Sequence, residues 1–308
     1  MRSGWLVLYK PAGMNSTHAV TRVKRLLQLP RGFKIGHGGT LDPFAEGVLP
    51  LGLGEATKAL GYILDATKTY QFTLTWGTQT DTDDHTGQVI AQNDCRPSRA
   101  EVEAVLAKFT GTITQTPPAY SALKFDGKRA YDLARAGNAP DMSKKTREVT
   151  IFTLNLDEFR PNEVVLTAKV SKGTYIRSLG RDIALALGVV GHLTTLKRIQ
   201  AGPFTAAKAI TLEALDTGLK NGQSAATFLL DVTVALDDIP VYRATDAEVA
   251  ALRNGIVPAN TGLKPGVWQV RTPQDQLQTM VQVQESGIWQ ILRNFNHDIE
   301  MKDDNDDR

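Results

Sequence analysis

One short stretch gathers the residue types from which an active site is built. Between Gly36 and Gly52 the chain reads GHGGTLDPFAEGVLPLG, which sets His37 and Asp42 among five glycines and two prolines. Glycine is used where the backbone needs unusual angles or a close approach, and proline fixes φ and removes a donor. That composition argues against both a regular helix and a central strand. An acid and an imidazole five residues apart, on backbone this tight, are suited to meeting a flat ligand. A loop carboxylate in a cleft needs a fixed partner to stay charged, and a neighbouring arginine supplies one. Arg177, just after the glycine turn of SKGTYIRSLG, is the candidate. Composition by itself supports a glycine-rich connection between elements as well as it supports an active-site loop.

Other chemistries fail their templates. The stretch lacks the Gly-Lys-Ser/Thr that a P-loop carries after its second glycine, and no GxGxxG occurs. DTDDHTG, from Asp81 to Gly87, has the acids of a calcium loop. That template needs Gly at its sixth position and Glu at its twelfth, where this chain has Thr86 and Gln92. It reads instead as a hairpin turn. His18, His192 and His297 have no ligand-like neighbours and read as surface or packing residues. The single cysteine, Cys95, excludes an internal disulfide framework and a Cys-based zinc site. No metal site is expected.

The elements that must position these residues follow from periodicity. WLVLYKP, from Trp5 to Pro11, reads as a short buried strand. Asn15 or Ser16 caps a helix with Val20, Val23 and Leu27 at helical spacing. EATKALGYILDATK shows a helical period. Tyr70, Phe72, Leu74 and Trp76 alternate with polar residues, the clearest β signal in the chain. Past the DTDDHTG turn, QVIAQ is a second strand. Ser98 and Glu101 form a capping box ahead of Val102, Val105, Leu106 and Phe109. PPAYSALKFDGKRAYDLARAG is a loop and then a helix ending near Gly137, and EVVLTAKVSKG is a strand that leads into the helix TYIRSLGRDIALALG. Strands and helices mix without a strict βαβ rhythm, which predicts an α+β domain. Composition changes near 220–236. IPVYRA, the helix DAEVAALRNG, GVWQVRT, LQTMVQVQ and GIWQILRNF then describe a small β-rich unit.

The bulk numbers bound the class. The chain has 308 residues, 42% of them hydrophobic and 22% charged, which is ordinary for a globular protein of one large domain with a small partner. No run of eighteen apolar residues reads as a membrane span. The N-terminus lacks the apolar core and cleavage site of a signal peptide, so a cytoplasmic location is expected. Net charge is +2, but Asp298 to Arg308 hold six acids and two bases; without them 33 bases face 27 acids. A basic body with an acidic tail suggests an anionic partner such as nucleic acid.

The same residues carry a family likeness. GHGGTLDPFAEGVLPLGLGEATK resembles the catalytic motif of the bacterial tRNA pseudouridine synthase B (TruB) family. KPAGMNST, KTYQFTLTWGTQTDTDDHTG, PPAYSALKFDGKRAYDLARAG and VSKGTYIRSLGRDIALALG are similar to its remaining motifs, in the right order. The likeness spans roughly residues 4–215. Gly38 and Thr40 stand where other members often carry Thr and Ala. The resemblance implies an α+β pseudouridine synthase fold, with a mixed, mainly antiparallel central sheet flanked by helices and loops. It implies a catalytic domain over 1–230, a small PUA-like RNA-binding domain over 231–298 and an acidic disordered tail over 299–308. The activity implied is conversion of the T-loop uridine of tRNA to pseudouridine, with no cofactor and no metal.

By position, Asp42 matches the catalytic aspartate and Arg177 the arginine paired with it. Tyr70 matches the tyrosine that stacks on the flipped uracil, a candidate base for the C5 proton. His37 matches a histidine that holds the extruded loop, and Tyr175 and Leu196 match residues lining the uridine pocket. Lys10, Arg22, Lys24, Arg25, Lys124, Lys128 and Arg129 are candidates for phosphate contacts. The partner implied is the tRNA T stem-loop, with no obligate protein partner, and the protein is expected to be a monomer. Two other readings remain: a tRNA-binding or RNA-folding protein, and a related synthase acting on another RNA.

Overall fold

The strand that opens the chain ends up at one edge of a nine-stranded sheet that carries everything else. The computed structural model describes residues 3–121, 123–125, 127–138, 140–258 and 262–296. His297, Asp298 and the acidic end lie outside the described residues. In chain order the first unit runs β1 (Gly4–Lys10), α1 (Ser16–Leu26), β2 (Ile35–His37), β3 (Glu46–Leu53), α2 (Leu60–Asp65), β4 (Lys68–Trp76), β5 (Thr78–Thr80) and β6 (Val89–Gln92). It continues through α3 (Arg99–Lys108), β7 (Gly111–Gln115), β8 (Lys124–Phe125), β9 (Lys128–Arg129), α4 (Ala130–Arg135), β10 (Arg147–Arg160) and β11 (Glu163–Val170). It closes with α5 (Ile176–Ala186), β12 (Gly191–Ala201), β13 (Phe204–Thr205) and α6 (Leu212–Lys220). The second unit holds β14 (Val241–Arg243), α7 (Asp246–Arg253), β15 (Gly266–Arg271), β16 (Leu277–Val283) and β17 (Trp289–Asn294).

The large sheet has the order β1-β3-β12-β4-β11-β10-β7, with β2 on β3 and β13 on β12. Every pairing is antiparallel except β3 with β12, which run parallel over only two pairs, Lys197 with Glu46 and Arg198 with Gly47. The mixed, mainly antiparallel sheet is therefore as expected. Local signals set its parts. Asn15 Oδ1 accepts the backbone N–H of His18 at 2.7 Å and starts α1. Ser98 and Glu101 cap α3 reciprocally. Phe72, Leu74 and Trp76 face the core from β4, where α5 lays Leu179 and Ile183. Burying each such side chain removes apolar area worth about 2 kcal/mol.

The expectation that no central strand could pass through the Gly36–Gly52 stretch is corrected. β3 is an inner strand and contains Pro50. β1 takes one edge of β3, and β2 and β12 share the other edge without meeting. The Pro50 carbonyl accepts the Gly38 N–H at 2.8 Å across that second edge, so its missing N–H faces the same gap. No ladder bond to β1 is lost, which is the circumstance in which a strand tolerates proline.

The second unit is a four-stranded sheet of order β14-β15-β16-β17, its first pair parallel. Leu236, Leu277, Met280 and Phe295 bury against Trp5, Val7, Ile63 and Phe204, so an apolar seam joins the two units. The Trp5 indole donates to the Val232 carbonyl at 3.1 Å on that seam. Among the described residues no helix is long and apolar enough to cross a membrane.

Candidate active site

The sheet splits where β2 and β12 part on β3, and the 38–45 loop carrying Asp42 fills that opening. Beside it lies a cleft of about 1470 Å³. Asp42, Tyr70, Arg177, His37, Tyr175, Leu196 and Lys124, singled out from sequence, all line it.

Three side chains from three elements hold the loop backbone. Ser16, at the start of α1, donates its hydroxyl to the Leu41 carbonyl at 3.0 Å and accepts the Leu41 N–H at 2.9 Å. Arg198 on β12 is 1% exposed; its guanidinium donates to the carbonyls of Val48 at 2.7 Å and Gly39 at 3.0 Å. Lys10 at the end of β1 donates to the carbonyls of Met14 at 2.6 Å and Ala45 at 2.5 Å. Lys10 is fully buried, so the expectation that it contacts RNA phosphates is corrected. A side chain enclosed by carbonyls has no reach to solvent. It fastens the loop instead.

The glycines answer to the protein's own packing. A Cβ on Gly38 would come within 2.5 Å of Ile63 on α2. Gly47 has φ +107°, and a Cβ there would sit 2.3 Å from the Arg198 carbonyl. Gly47→Ala is expected to lower unfolding free energy by at least ~3 kcal/mol, combining left-handed strain with a backbone clash. Urea unfolding measures this, and a loss under about 1 kcal/mol would refute the packing argument.

Lys10→Met should also destabilise, by about 2–4 kcal/mol, because buried carbonyls lose their donor. Turnover of the folded fraction should stay within a few-fold, since Ser16 and Arg198 still grip the loop. Burial pushes the Lys10 pKa down to about 8, against the opposing pull of Asp42. The unfolded lysine, near 10.5, binds the proton that the folded one releases between pH 8 and 10.5. Stability from this residue therefore rises across that window and falls as pH drops through 8. The gap between wild type and Lys10→Met should widen by about 1.5 kcal/mol from pH 8 to 9.5.

Arg177 meets Asp42 as expected, Nε to Oδ2 at 2.8 Å. The other guanidinium nitrogens donate to the carbonyls of Thr82 at 2.8 Å and Tyr120 at 2.9 Å. Asp84 approaches Nε at 3.7 Å. Arg177 is thus oriented from three sides, as a planar fork of donors allows. Its side chain is 5% exposed and that of Asp42 34%, so the arginine is sealed in while the carboxylate opens on the cleft.

The DTDDHTG turn has a part that local pattern did not reveal. β5 and β6 do form a hairpin, but its acids face inward. Asp84 is 4% exposed and accepts from Thr82 Oγ1 and the Thr86 N–H, both at 2.9 Å. Asp83 pairs with Arg181 at 3.0 Å, and burial, outweighing the arginines, pushes its pKa up to about 6. Among the described residues no group of three metal-ligating side chains is placed to hold an ion.

The cleft walls come from β4, β12 and α5. Tyr70 shares the face of Phe72 and Leu74 but lies where that face runs out of the core. Register sets Arg198 opposite Tyr70, and Leu196 opposite Phe72. Leu196 serves both core and cleft. Tyr175 precedes α5, its backbone paired both ways with the Gln115 amide at 2.8 and 3.0 Å. Arg147 lies over the Tyr175 ring, 4.8 Å from its centroid. His37 Nδ1 is buried without a hydrogen-bond partner; burial, then the Arg198 charge, push the ring's pKa down, so it is neutral at neutral pH. Lys124 is exposed on the cleft rim; Lys128 is exposed beyond the lining residues. The contact expected of the Arg129 side chain lies outside what is described. Sequence reasoning missed Arg198, Gln115 and Arg147. The one local signal was a charge on the apolar face of β12, two residues after Leu196.

The model for the TruB family pseudouridylate synthase N-terminal domain matches residues 24–176, and that for the tRNA pseudouridylate synthase B C-terminal domain matches 177–264. The chain belongs to the TruB family of pseudouridylate synthases. It is similar to the tRNA pseudouridine synthase B of Zymomonas mobilis, 50% identical over 255 residues covering 82% of this chain and 83% of that one. The Novosphingobium aromaticivorans protein of the same name is 47% identical over 279 residues, 88% of this chain and 90% of the other. Among solved structures, an H/ACA ribonucleoprotein bound to a substrate RNA containing 2′-deoxyuridine aligns with TM-score 0.69 and 25% identity. That alignment covers 91% of this chain and 78% of that one. The boundary between the two TruB models falls between Ile176 and Arg177, yet the large sheet continues through β12 and β13.

Proposed function

We infer that this chain is a tRNA pseudouridine synthase, an isomerase that converts the T-loop uridine, position 55 in tRNA numbering, to pseudouridine. The observation that carries the reading is the Asp42–Arg177 pair at 2.8 Å, opening beside Tyr70 into a cleft large enough for a flipped nucleotide. Family membership and the names of its relatives support the substrate class. The N1–C1′ bond breaks, the uracil turns within the pocket, and C5 bonds to C1′. The proton lost from C5 is balanced by one gained on the ring nitrogen freed from the sugar. Asp42 acts at the ribose, either by attack at C1′ or by removing a sugar proton to give a glycal. Tyr70 stacks on the uracil and is the base for the C5 proton. His37, Tyr175 and Leu196 shape the space for the extruded base, and Lys124 and Lys128 take phosphates. Flipping a base costs a few kcal/mol, offset by stacking and edge hydrogen bonds.

The atoms balance without an added reactant, so the reading calls for no cofactor. It assigns residues 1–230 to catalysis and 231–298 to RNA binding, in a cytoplasmic monomer that needs no protein partner. The test is a pseudouridine map: unmodified tRNA transcript is incubated with the protein, then probed by carbodiimide-induced reverse-transcriptase stops. One stop at the T-loop uridine is expected. Tight binding with no stop would sink the isomerase reading and favour an RNA-binding protein.

A further inference from the structure

The cleft does not end at its lining residues. Thr17, His18 and Thr21 on α1 wall it, while Ala19 and Val23 turn into the core. Helical spacing continues the walling stripe from Thr17 and Thr21 to Lys24, and from His18 and Thr21 to Arg25. Arg22 lies beside it. All three basic residues are exposed, and no described acid forms an ion pair with any of them. No acidic residue precedes Asp42 in the chain, so nothing local offsets their field. Ser16, bonded to the Leu41 backbone, fixes the start of α1 against the Asp42 loop. Arg25 lies nine residues further on, about 14 Å along the helix axis. At 3.4 Å of rise per nucleotide that distance corresponds to about four nucleotides.

The geometry points to the exposed face of α1, with Arg22, Lys24 and Arg25, as a second RNA contact surface that takes phosphodiesters about four nucleotides from the isomerised uridine. The proposal rests on the tRNA reading above and names where beyond the cleft the same substrate is held. A polyanion is the occupant because the stripe is cationic, unpaired and continuous with the cleft.

The test compares wild type with Arg22→Gln/Lys24→Gln/Arg25→Gln. Affinity is measured against salt for an unmodified full-length tRNA transcript and for an isolated T-arm hairpin. Each phosphate contact contributes slightly less than one to the slope of log affinity against log salt. The triple variant should lower the slope's magnitude by about 2 to 3 and weaken binding at least ~10-fold at low salt, raising KM. A change with both RNAs puts the phosphates in the T arm, as the distance of about four nucleotides requires; a change with full-length tRNA alone puts them elsewhere in the molecule and overturns the proposed placement. Lys108→Gln, on α3, which lines no part of the cleft, is the control. An unchanged slope with both RNAs, or an equal change in the control, overturns the proposal. An unchanged thermal midpoint excludes misfolding. If wild type binds tRNA but makes no pseudouridine, the functional reading fails separately, because the slope is read without turnover.

Discussion

Asp42→Asn should reduce pseudouridine formation at least ~10³-fold while leaving the fold and tRNA affinity close to wild type. The size follows from removing the group proposed to act on the ribose, where losing a single essential nucleophile or base costs orders of magnitude. The specificity follows from the packing. Arg177 is held by the carbonyls of Thr82 and Tyr120 as well as by Asp42, so it keeps its place when the carboxylate becomes an amide. The amide oxygen can still accept from Arg177 Nε. Ser16, Lys10 and Arg198 grip the loop through backbone carbonyls that the substitution does not touch. Single-turnover assays with the carbodiimide readout, beside filter binding of the same transcript, measure both halves. Residual activity within tenfold of wild type would remove Asp42 from the chemistry. A parallel collapse in stability would mean that its role is structural.

Arg177→Met should strike both stability and activity. It strands the Asp42 and Asp84 carboxylates and two carbonyls in a site where the arginine side chain was 5% exposed. Breaking a buried pair from one side costs about 3–5 kcal/mol. Arg177→Lys is the informative companion. An ammonium restores the charge but cannot serve Asp42, Thr82 and Tyr120 in the three directions that the guanidinium fills. Stability should recover in part, while the rate stays about 10²–10³-fold down because the carboxylate is no longer oriented. Urea midpoints and single-turnover rates on the two variants separate the effects. Equal recovery of both in Arg177→Lys would show that charge alone matters.

Much of the site was legible because the residues themselves are unusual. Asp42 stood out as an acid inside glycine-rich backbone, and Tyr70 as the first aromatic of a period-two strand. Arg177 stood out after a glycine turn. The residues that hold them were not legible. Lys10 reads as a surface lysine after a strand, and only the closing of the 38–45 loop over it adds the carbonyls of Pro43 and Ala45 to those of Pro11 and Met14 around its ammonium. The acids of DTDDHTG read as a solvated turn until α5 brings Arg177 and Arg181 against them. Pro50 argued against a strand, because the gap between β2 and β12 that tolerates it is a property of the whole sheet.

By itself the sequence determined many of the element types, the α+β class, the β-rich end and the candidate reactive groups. These rest on short-range causes: side-chain periodicity, capping within three residues, and glycine and proline backbone preferences. Only the tertiary structure decided which groups meet. Asp42 and Arg177 are 135 residues apart, and Arg198 reaches Gly39 across 159. Their contact depends on a sheet whose strands pair out of chain order. Burial likewise turned Lys10 from a candidate RNA contact into a fastener of the loop that carries Asp42. A side chain's solvent exposure is set by what folds over it, and no local spacing records that.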